Sequence, residues 1–367
     1  MSLTAGIVGL PNVGKSTLFN AITKQEILAA NYPFATIDPN VGTVHVPDYR
    51  LTELTKIYKP TKTIPTTFEF TDIAGLVKGA SLGDGLGNKF LAHIREVDAI
   101  CQVVRCFENQ DIIHVEGDID PARDIGIINT ELMLADIETI DKRLYKIEKK
   151  ALKINDKAGL FEVELLKKIK EHLEKDIPAR AIDYTINEQK LISSFSLLSM
   201  KPIIYIANIN EDEFNLPDNE AVQVVKRIAE QENALVIKVS AEMEAQLSVF
   251  NETERVEYLA SMNIDETGLD RLIKTTYQLL GLQTFFTGGP NEVRAWTFKK
   301  GWTAPVCAGT IHTDMQRGFI KAEVISYEDI IKYGSEIKAK EAGRLRIEGK
   351  EYIMQDGDVC HFRFNVT

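Results

Sequence analysis

An α/β fold with a doubly wound, mostly parallel sheet is predicted by three observations. Short β-branched apolar runs alternate with amphipathic helical stretches, a glycine-rich turn joins the first run to the first helix, and one long helical insert interrupts the alternation. The strand-like runs are Ala5–Leu10, Gly42–Val46, Thr67–Ile73, Ala99–Phe107, Pro202–Asn208 and Ala234–Ser240. Helical spacing appears at Ser16–Thr23, Asn88–Glu96, Asn219–Glu232 and Thr267–Leu280. This pattern assigns residues 1–124 and 201–281 to one α/β domain.

The insert, residues 125–200, carries Ile137, Ile140, Leu144, Ile147, Ala151 and Ile154 at spacings of three and four, a heptad seam. A break near Asn155 to Gly159 precedes a second helix with Leu166, Ile169 and Leu173 on one face, so an antiparallel helical hairpin is expected. After Leu282 the texture changes to short β segments, Val293–Phe298, Gly309–Ile311, Ile320–Val324, Leu345–Ile347 and Cys360–Asn365, with a helix near Tyr327–Lys332. Residues 282–367 therefore read as a separate small α+β domain, whose aromatics, including Phe285, Phe286, Trp296, Trp302, Phe319, Tyr352, Phe362 and Phe364, fit a core better than a stacking platform.

With 367 residues, 44% hydrophobic and 26% charged, the chain can bury sizeable cores. The sequence enters a strand within four residues, with no charged-then-apolar leader, and no apolar run approaches the roughly 18 residues a membrane span needs, so a cytoplasmic protein without membrane association is expected. Cys101, Cys106, Cys307 and Cys360 lack metal or disulfide spacing and read as buried structural residues. A net charge of −11 argues against indiscriminate nucleic-acid binding, but Lys142 to Lys175 holds eleven Lys or Arg against six Asp or Glu. The basic arm is either an RNA-contacting surface, such as one for ribosomal RNA, or a solvated coiled-coil face.

Residues 9 to 16, G-L-P-N-V-G-K-S, form a complete G-x-x-x-x-G-K-[ST] phosphate-binding loop between the first strand and first helix. Such a turn aims backbone N–H groups of Asn12, Val13, Gly14, Lys15, Ser16 and Thr17 at phosphate oxygens; Lys15 reaches the β/γ-phosphates and the Ser16 hydroxyl is a Mg²⁺ ligand. Asp72-Ile-Ala-Gly75 ends a strand as D-x-x-G, placing an aspartate for Mg²⁺ and a glycine amide for the γ-phosphate. Thr36, in a proline-bearing loop, completes the expected metal set.

Two stretches, Asn31-Tyr-Pro-Phe-Ala-Thr-Ile-Asp-Pro-Asn40 and Asp72-Ile-Ala-Gly-Leu-Val-Lys-Gly-Ala-Ser81 with its following glycines, resemble the Obg-related branch of translation-factor GTPases. The whole chain more narrowly resembles the YchF/Obg-like ATPase family, including the helical insert and a tail ending Asp356-Gly-Asp-Val-Cys-His-Phe-Arg-Phe364. The resemblance implies a Mg²⁺-dependent P-loop NTPase, a helical arm, a C-terminal β-grasp (TGS-like) domain with RNA or regulator partners, and ribosome association.

Guanine-specific relatives read the base with N-K-x-D, whose aspartate accepts two hydrogen bonds from guanine. Here the fifth strand ends Asn208-Ile209-Asn210-Glu211, without the lysine and with a longer acid, while asparagine amides match adenine's donor and acceptors. ATP is therefore favoured over GTP, with Asn208, Asn210 and Glu211 as base contacts. Ser240-Ala241-Glu242, after the sixth strand, stands where a final base-contacting loop belongs, though Ser240 also suits a turn cap.

Residue 76 is leucine where a water-positioning glutamine is usual, so slow intrinsic turnover is expected. His114 is the candidate water orienter, against an ordinary loop histidine, and Asn12 the candidate holder of a K⁺ ion. Glycines 75, 79, 83, 85 and 87 mark a switch segment. The reading is an ATP-hydrolysing switch protein; the alternatives are a GTP-dependent nucleic-acid-binding regulator and a nucleotide-gated scaffold with negligible hydrolysis.

Overall fold

The computed structural model describes residues 3–29, 41–74, 86–109, 118–154 and 156–365. Its strands are β1 (Thr4–Gly9), β2 (Val41–His45), β3 (Lys62–Ile64), β4 (Thr67–Asp72), β5 (Ala99–Arg105), β6 (Ile203–Asn208), β7 (Leu235–Val239), β8 (Leu282–Gly288), β9 (Glu292–Lys299), β10 (Phe319–Ser326), β11 (Arg346–Glu348) and β12 (Asp358–Phe364). The helices are α1 (Lys15–Ala29), α2 (Tyr49–Tyr58), α3 (Leu86–Glu96), α4 (Pro121–Ile154), α5 (Lys157–Leu173), α6 (Ile186–Ile192) and α7 (Glu220–Gln231). They continue with α8 (Ala241–Leu247), α9 (Glu252–Ser261), α10 (Gly268–Leu279), α11 (Ala304–Ile311), α12 (Thr313–Arg317), α13 (Tyr327–Tyr333) and α14 (Glu336–Glu341). Two compact units result: Met1–Thr43 with Glu69–Leu272, and Val44–Phe68 with Ile273–Thr367.

The first unit carries a six-stranded sheet in the order β2-β4-β1-β5-β6-β7. β1 pairs in parallel with both β4 and β5, and β5 with β6 and β6 with β7 continue the parallel run. β5 and β6 are buried along their whole length, which explains why their sequences, AICQVVR and IIYIAN, are nearly continuous apolar runs rather than alternating ones. The chain leaves β1 toward β2 on one side of the sheet and leaves its neighbour β5 toward β6 on the other, so the ends of β1 and β5 form a topological switch point where ligands settle in such sheets.

α4 and α5 form the expected antiparallel hairpin, with Met133, Ile140, Leu165, Leu166, Ile169 and Leu173 buried at its seam and Ile137, Leu144 and Ile147 packed against them. The break is shorter than the sequence suggests: Asp156 caps α5 by accepting the Ala158 N–H, so the helix resumes at Lys157. Buried polar groups fix the arm's root within this unit. Asp136 accepts the Leu198 and Ser199 N–H groups at 2.7 and 2.8 Å, and Glu232 receives Arg180, Tyr205 and Asn129 at 2.6, 2.6 and 2.9 Å.

The second unit holds a mixed sheet, β11-β10-β12-β8-β9-β3. Parallel β8 and β12 lie at its centre, flanked by the antiparallel β8–β9 hairpin and by β10, a β-grasp arrangement. Phe285, Phe286, Phe298 and Phe319 are core residues, with Trp296, Trp302, Tyr352 and Phe362 packed against them, while Phe364 is partly exposed. The expected strand at Gly309–Ile311 is instead the end of helix α11: Pro305 suits a first turn, and Ala304, Cys307 and Ala308 bury one face at helical spacing. Residues 44–68, expected within the first domain, belong here: β3 pairs with β9, and Leu51 and Leu54 of α2 join Phe286, Val293 and Val359 in one core. Gly288 leaves room for the Tyr58 ring, which a Cβ would approach to 2.6 Å.

Candidate nucleotide site

Between β1 and α1 the chain turns through two left-handed residues, Asn12 at φ 64° and Gly14 at φ 95°. Asparagine tolerates this conformation; at Gly14 a side chain is excluded twice, since a Cβ would also stand 2.2 Å from Asn208 Nδ2. The first helical bond runs from Leu18 N–H to Gly14 C=O, so the amides just before it lack intrahelical partners and the first turn of α1 carries no acid to offset them. Ser16 and Thr17 are exposed there, and the buried Val13 side chain anchors the turn. This is a concave donor surface suited to phosphate.

Lys15 and Asp72, the last residue of β4, form an ion pair, their side chains 11% and 26% exposed. The parallel register sets this meeting, because Ile7 of β1 lies beside Asp72. The cation expected to meet phosphate and the carboxylate expected to serve a metal thus stand in contact, and the hard oxygens of Ser16 and Asp72 are the donor class Mg²⁺ takes alongside phosphate oxygens.

A pocket of about 1090 Å³ extends from this loop. Pro11, Asn12, Gly14, Lys15, Ser16 and Thr17 line one part; Asn208, Ile209, Asn210, Phe107 and the α8 residues Ala241, Glu242, Ala245 and Gln246 line the rest. Asn208 is buried and bridges the two: its Nδ2 donates to the Val13 carbonyl at 2.8 Å and its Oδ1 accepts the Ala241 N–H at 2.9 Å. Its amide is therefore mostly spent on holding the phosphate loop against α8. Arg105, buried at the end of β5, donates to the Phe107 and Asn109 carbonyls at 3.2 Å each and stacks over the Phe107 ring, shaping another wall.

Two expected base contacts are employed otherwise. Ser240 is fully buried and caps α8 by accepting the Met243 N–H at 3.3 Å, so it is absent from the pocket lining. Glu211 is not among the lining residues either; its carboxylate accepts Gln246 Nε2 at 3.1 Å and the Tyr258 hydroxyl. Asn210 and Ala241 do line the pocket. Thr36, Gly75 and His114, with the Asn31–Asn40 stretch and most of the glycine-rich switch segment, lie outside the described residues. Glu242, in the expected base-contacting loop, does line the pocket, whereas sequence reasoning missed Ala245, Gln246 and Val249. Their signal was present, since residues 242, 245, 246 and 249 repeat at helical spacing directly after the sixth-strand loop.

All four cysteines are buried; burial pushes the Cys307 thiol up to about 12 and raises Cys106 and Cys360 as well, so these three are inert packing residues. No helix among the described residues is long and apolar enough to cross a membrane. Lys142, Arg143, Lys167, Lys168, Lys170 and Lys175 each pair with a carboxylate on or beside the arm, whereas Lys146 and Lys157 are exposed.

Comparison with known proteins agrees with this architecture. Residues 4–133 match a family described as "50S ribosome-binding GTPase", and residues 282–365 match the C-terminal domain family of YchF GTPases, described as a protein of unknown function. Over 367 residues and the full length of both chains, the sequence is 58% identical to the "Ribosome-binding ATPase YchF" of Bacillus subtilis (strain 168). The protein of the same name from Escherichia coli O157:H7 is 53% identical over 366 residues, again covering both chains in full. The solved structure of the Schizosaccharomyces pombe YchF GTPase superposes with a TM-score of 0.89 at 42% identity, covering 99% of this chain and 98% of that one. A phosphate loop at the switch point, an antiparallel arm inserted before β6 and a β-grasp tail, matched along the whole chain by these relatives, show that the protein belongs to the YchF family.

Proposed function

We propose that this protein is a Mg²⁺-dependent ATP-hydrolysing switch that works on ribosomes in the cytoplasm. The observation that carries the preference for ATP is the disposition of Glu211. A guanine reader needs a carboxylate facing the base edge to accept two hydrogen bonds, and here that carboxylate is engaged by Gln246 and Tyr258. Asn208 keeps one amide hydrogen beyond its two protein bonds, and Asn210 lines the same pocket, so within this segment amides rather than the Glu211 carboxylate serve the base.

Lys15 exchanges its partner Asp72 for the β/γ-phosphates, gaining charge-assisted contacts, and Asp72 with Ser16 and Thr36 then serves Mg²⁺. The metal, when bound, neutralises charge developing on the transferred phosphoryl group. The Gly75 amide meets the γ-phosphate, His114 orients the attacking water, and Asn12, which lines the pocket, holds K⁺; these roles rest on sequence position. Ribosome binding rests on the names of the full-length relatives and on the basic arm, with the TGS-like domain as a further docking surface.

A GTP-dependent reading keeps one observation in its favour, the GTPase description of the family matching residues 4–133. Single-turnover hydrolysis of ATP and GTP at matched Mg²⁺, with and without purified ribosomes, tests the proposal. Faster ATP cleavage together with co-sedimentation on ribosomes is expected; faster GTP cleavage would reverse the base assignment, and no cleavage of either would leave a scaffold.

A further inference from the structure

We propose that Gln246 selects a 6-amino purine over a 6-keto purine, its side-chain amide held in a single orientation by Glu211 and Tyr258. This rests on the ATP reading above and deepens it.

The two ends of a glutamine amide are chemically opposite, and its neighbour settles which end faces where. An ionised carboxylate only accepts hydrogen bonds, so the Gln246 group facing Glu211 Oε2 at 3.1 Å must be the NH₂. The other carboxylate oxygen accepts the Tyr258 hydroxyl, which also lies 3.5 Å from Gln246 Oε1. That phenol remains a donor at neutral pH, since burial and the adjoining Glu211 push it up to about 12. Tyr258 is itself fixed on α9, its ring edge-on to Phe250 with centroids 5.5 Å apart. With the NH₂ anchored, Gln246 Oε1 is left as an acceptor on a side chain that lines the pocket.

Its position along α8 suits the base rather than the phosphates. Ala241, whose N–H holds Asn208 and through it the phosphate loop, lies five residues earlier, about 7.5 Å along the helix axis at 1.5 Å per residue. Adenine presents an amino donor at position 6, whereas guanine and hypoxanthine present an oxygen there. A fixed acceptor pairs with the first and opposes the second. Without Glu211 the amide could turn and offer its NH₂ to a keto group, so Glu211 acts on selectivity through Gln246 as a positioning residue.

The test uses the full-length protein and calorimetric affinities for ATP, ITP and GTP at matched Mg²⁺, in the parent and in Gln246→Ala and Glu211→Gln. ITP differs from ATP at the 6 position and lacks guanine's 2-amino group, so the ATP/ITP ratio isolates the contact. Expected is a loss of roughly tenfold or more in that ratio for both variants, with ITP affinity held within about twofold, which also reports an intact pocket. If the parent prefers ATP and both variants keep its ATP/ITP ratio, or lose ATP and ITP equally, the Gln246 inference falls while the ATP reading stands. If the parent binds GTP as tightly as ATP, the ATP reading falls and takes this inference with it.

Discussion

Asn208 Nδ2 donates to the backbone carbonyl of Val13 at 2.8 Å, tying the end of β6 to the middle of the phosphate loop 195 positions earlier in the chain. Because Asn208 Oδ1 simultaneously holds the Ala241 N–H, one buried side chain sets the separation between the phosphate donors and α8. Gly14 completes the joint, as any side chain there would displace the Asn208 amide.

Asn208→Ala should therefore act as the loss of a brace. Two buried hydrogen bonds vanish and leave their backbone partners unsatisfied, costing about 1–3 kcal/mol of stability. ATP and GTP affinity should both decline, by similar factors, because the loop presenting donors to phosphate is common to both. Denaturant titration and calorimetry check this; a loss confined to ATP would make Asn208 a base reader first.

The phosphate loop, the mostly parallel sheet and the helical arm were legible in the sequence because each rests on a local periodicity or a spacing-dependent motif: G-L-P-N-V-G-K-S, the apolar runs AICQVVR and IIYIAN, and the seam from Ile137 to Ile147. What escaped depends on contacts across long separations. Nothing near Leu51 or Leu54 announces that they pack beside Phe286 and Val359. Glu211 looks like a base-reading acid until Gln246 and Tyr258, 35 and 47 residues later, claim its oxygens. At Gly309–Ile311 a β-branched ending suggested a strand, and the buried Ala304, Cys307 and Ala308 face decided for helix.

Lys15→Ala should abolish tight triphosphate binding or turnover while leaving the fold intact. The lost ion pair with Asp72 is partly exposed and contributes about 1 kcal/mol or less to stability, whereas the lost phosphate contact is charge-assisted. Unchanged hydrolysis in this variant would remove the site assignment.

Glu244 predicts a pH dependence of stability. Its carboxyl is buried; one oxygen accepts the Leu269 N–H at 3.0 Å, the other has no partner among the described residues, and Asp270 and Arg255 are the charges facing it with opposite effects. Burial pushes this acid up to about 7 from an ordinary 4.5, so the folded protein prefers it protonated. Its contribution is complete below pH 4.5 and is lost as pH rises through 7. Glu244→Gln, which still accepts the Leu269 N–H, should match the parent at low pH and exceed it by up to about 3 kcal/mol at pH 8. Denaturation at pH 5 and pH 8 measures the difference; an equal effect at both would show that the carboxyl does not titrate in this range.

The arm gives a salt-dependent prediction. If the basic excess between Lys142 and Lys175 contacts RNA, reversing Lys146, Lys149, Lys150 and Lys153 to Glu should weaken ribosome binding. Each lost phosphate contact should remove about 0.7–0.9 from the log–log salt slope. Ribosome binding with unchanged affinity and slope would assign docking to the C-terminal domain instead.

Whether the pocket joining the phosphate loop to α8 takes ATP is decided by calorimetric titration of the unmodified full-length protein with ATP and with GTP at matched free Mg²⁺. Saturable ATP binding at least about tenfold tighter than GTP, a difference of about 1.4 kcal/mol, is expected. GTP binding equal to or tighter than ATP would overturn the assignment.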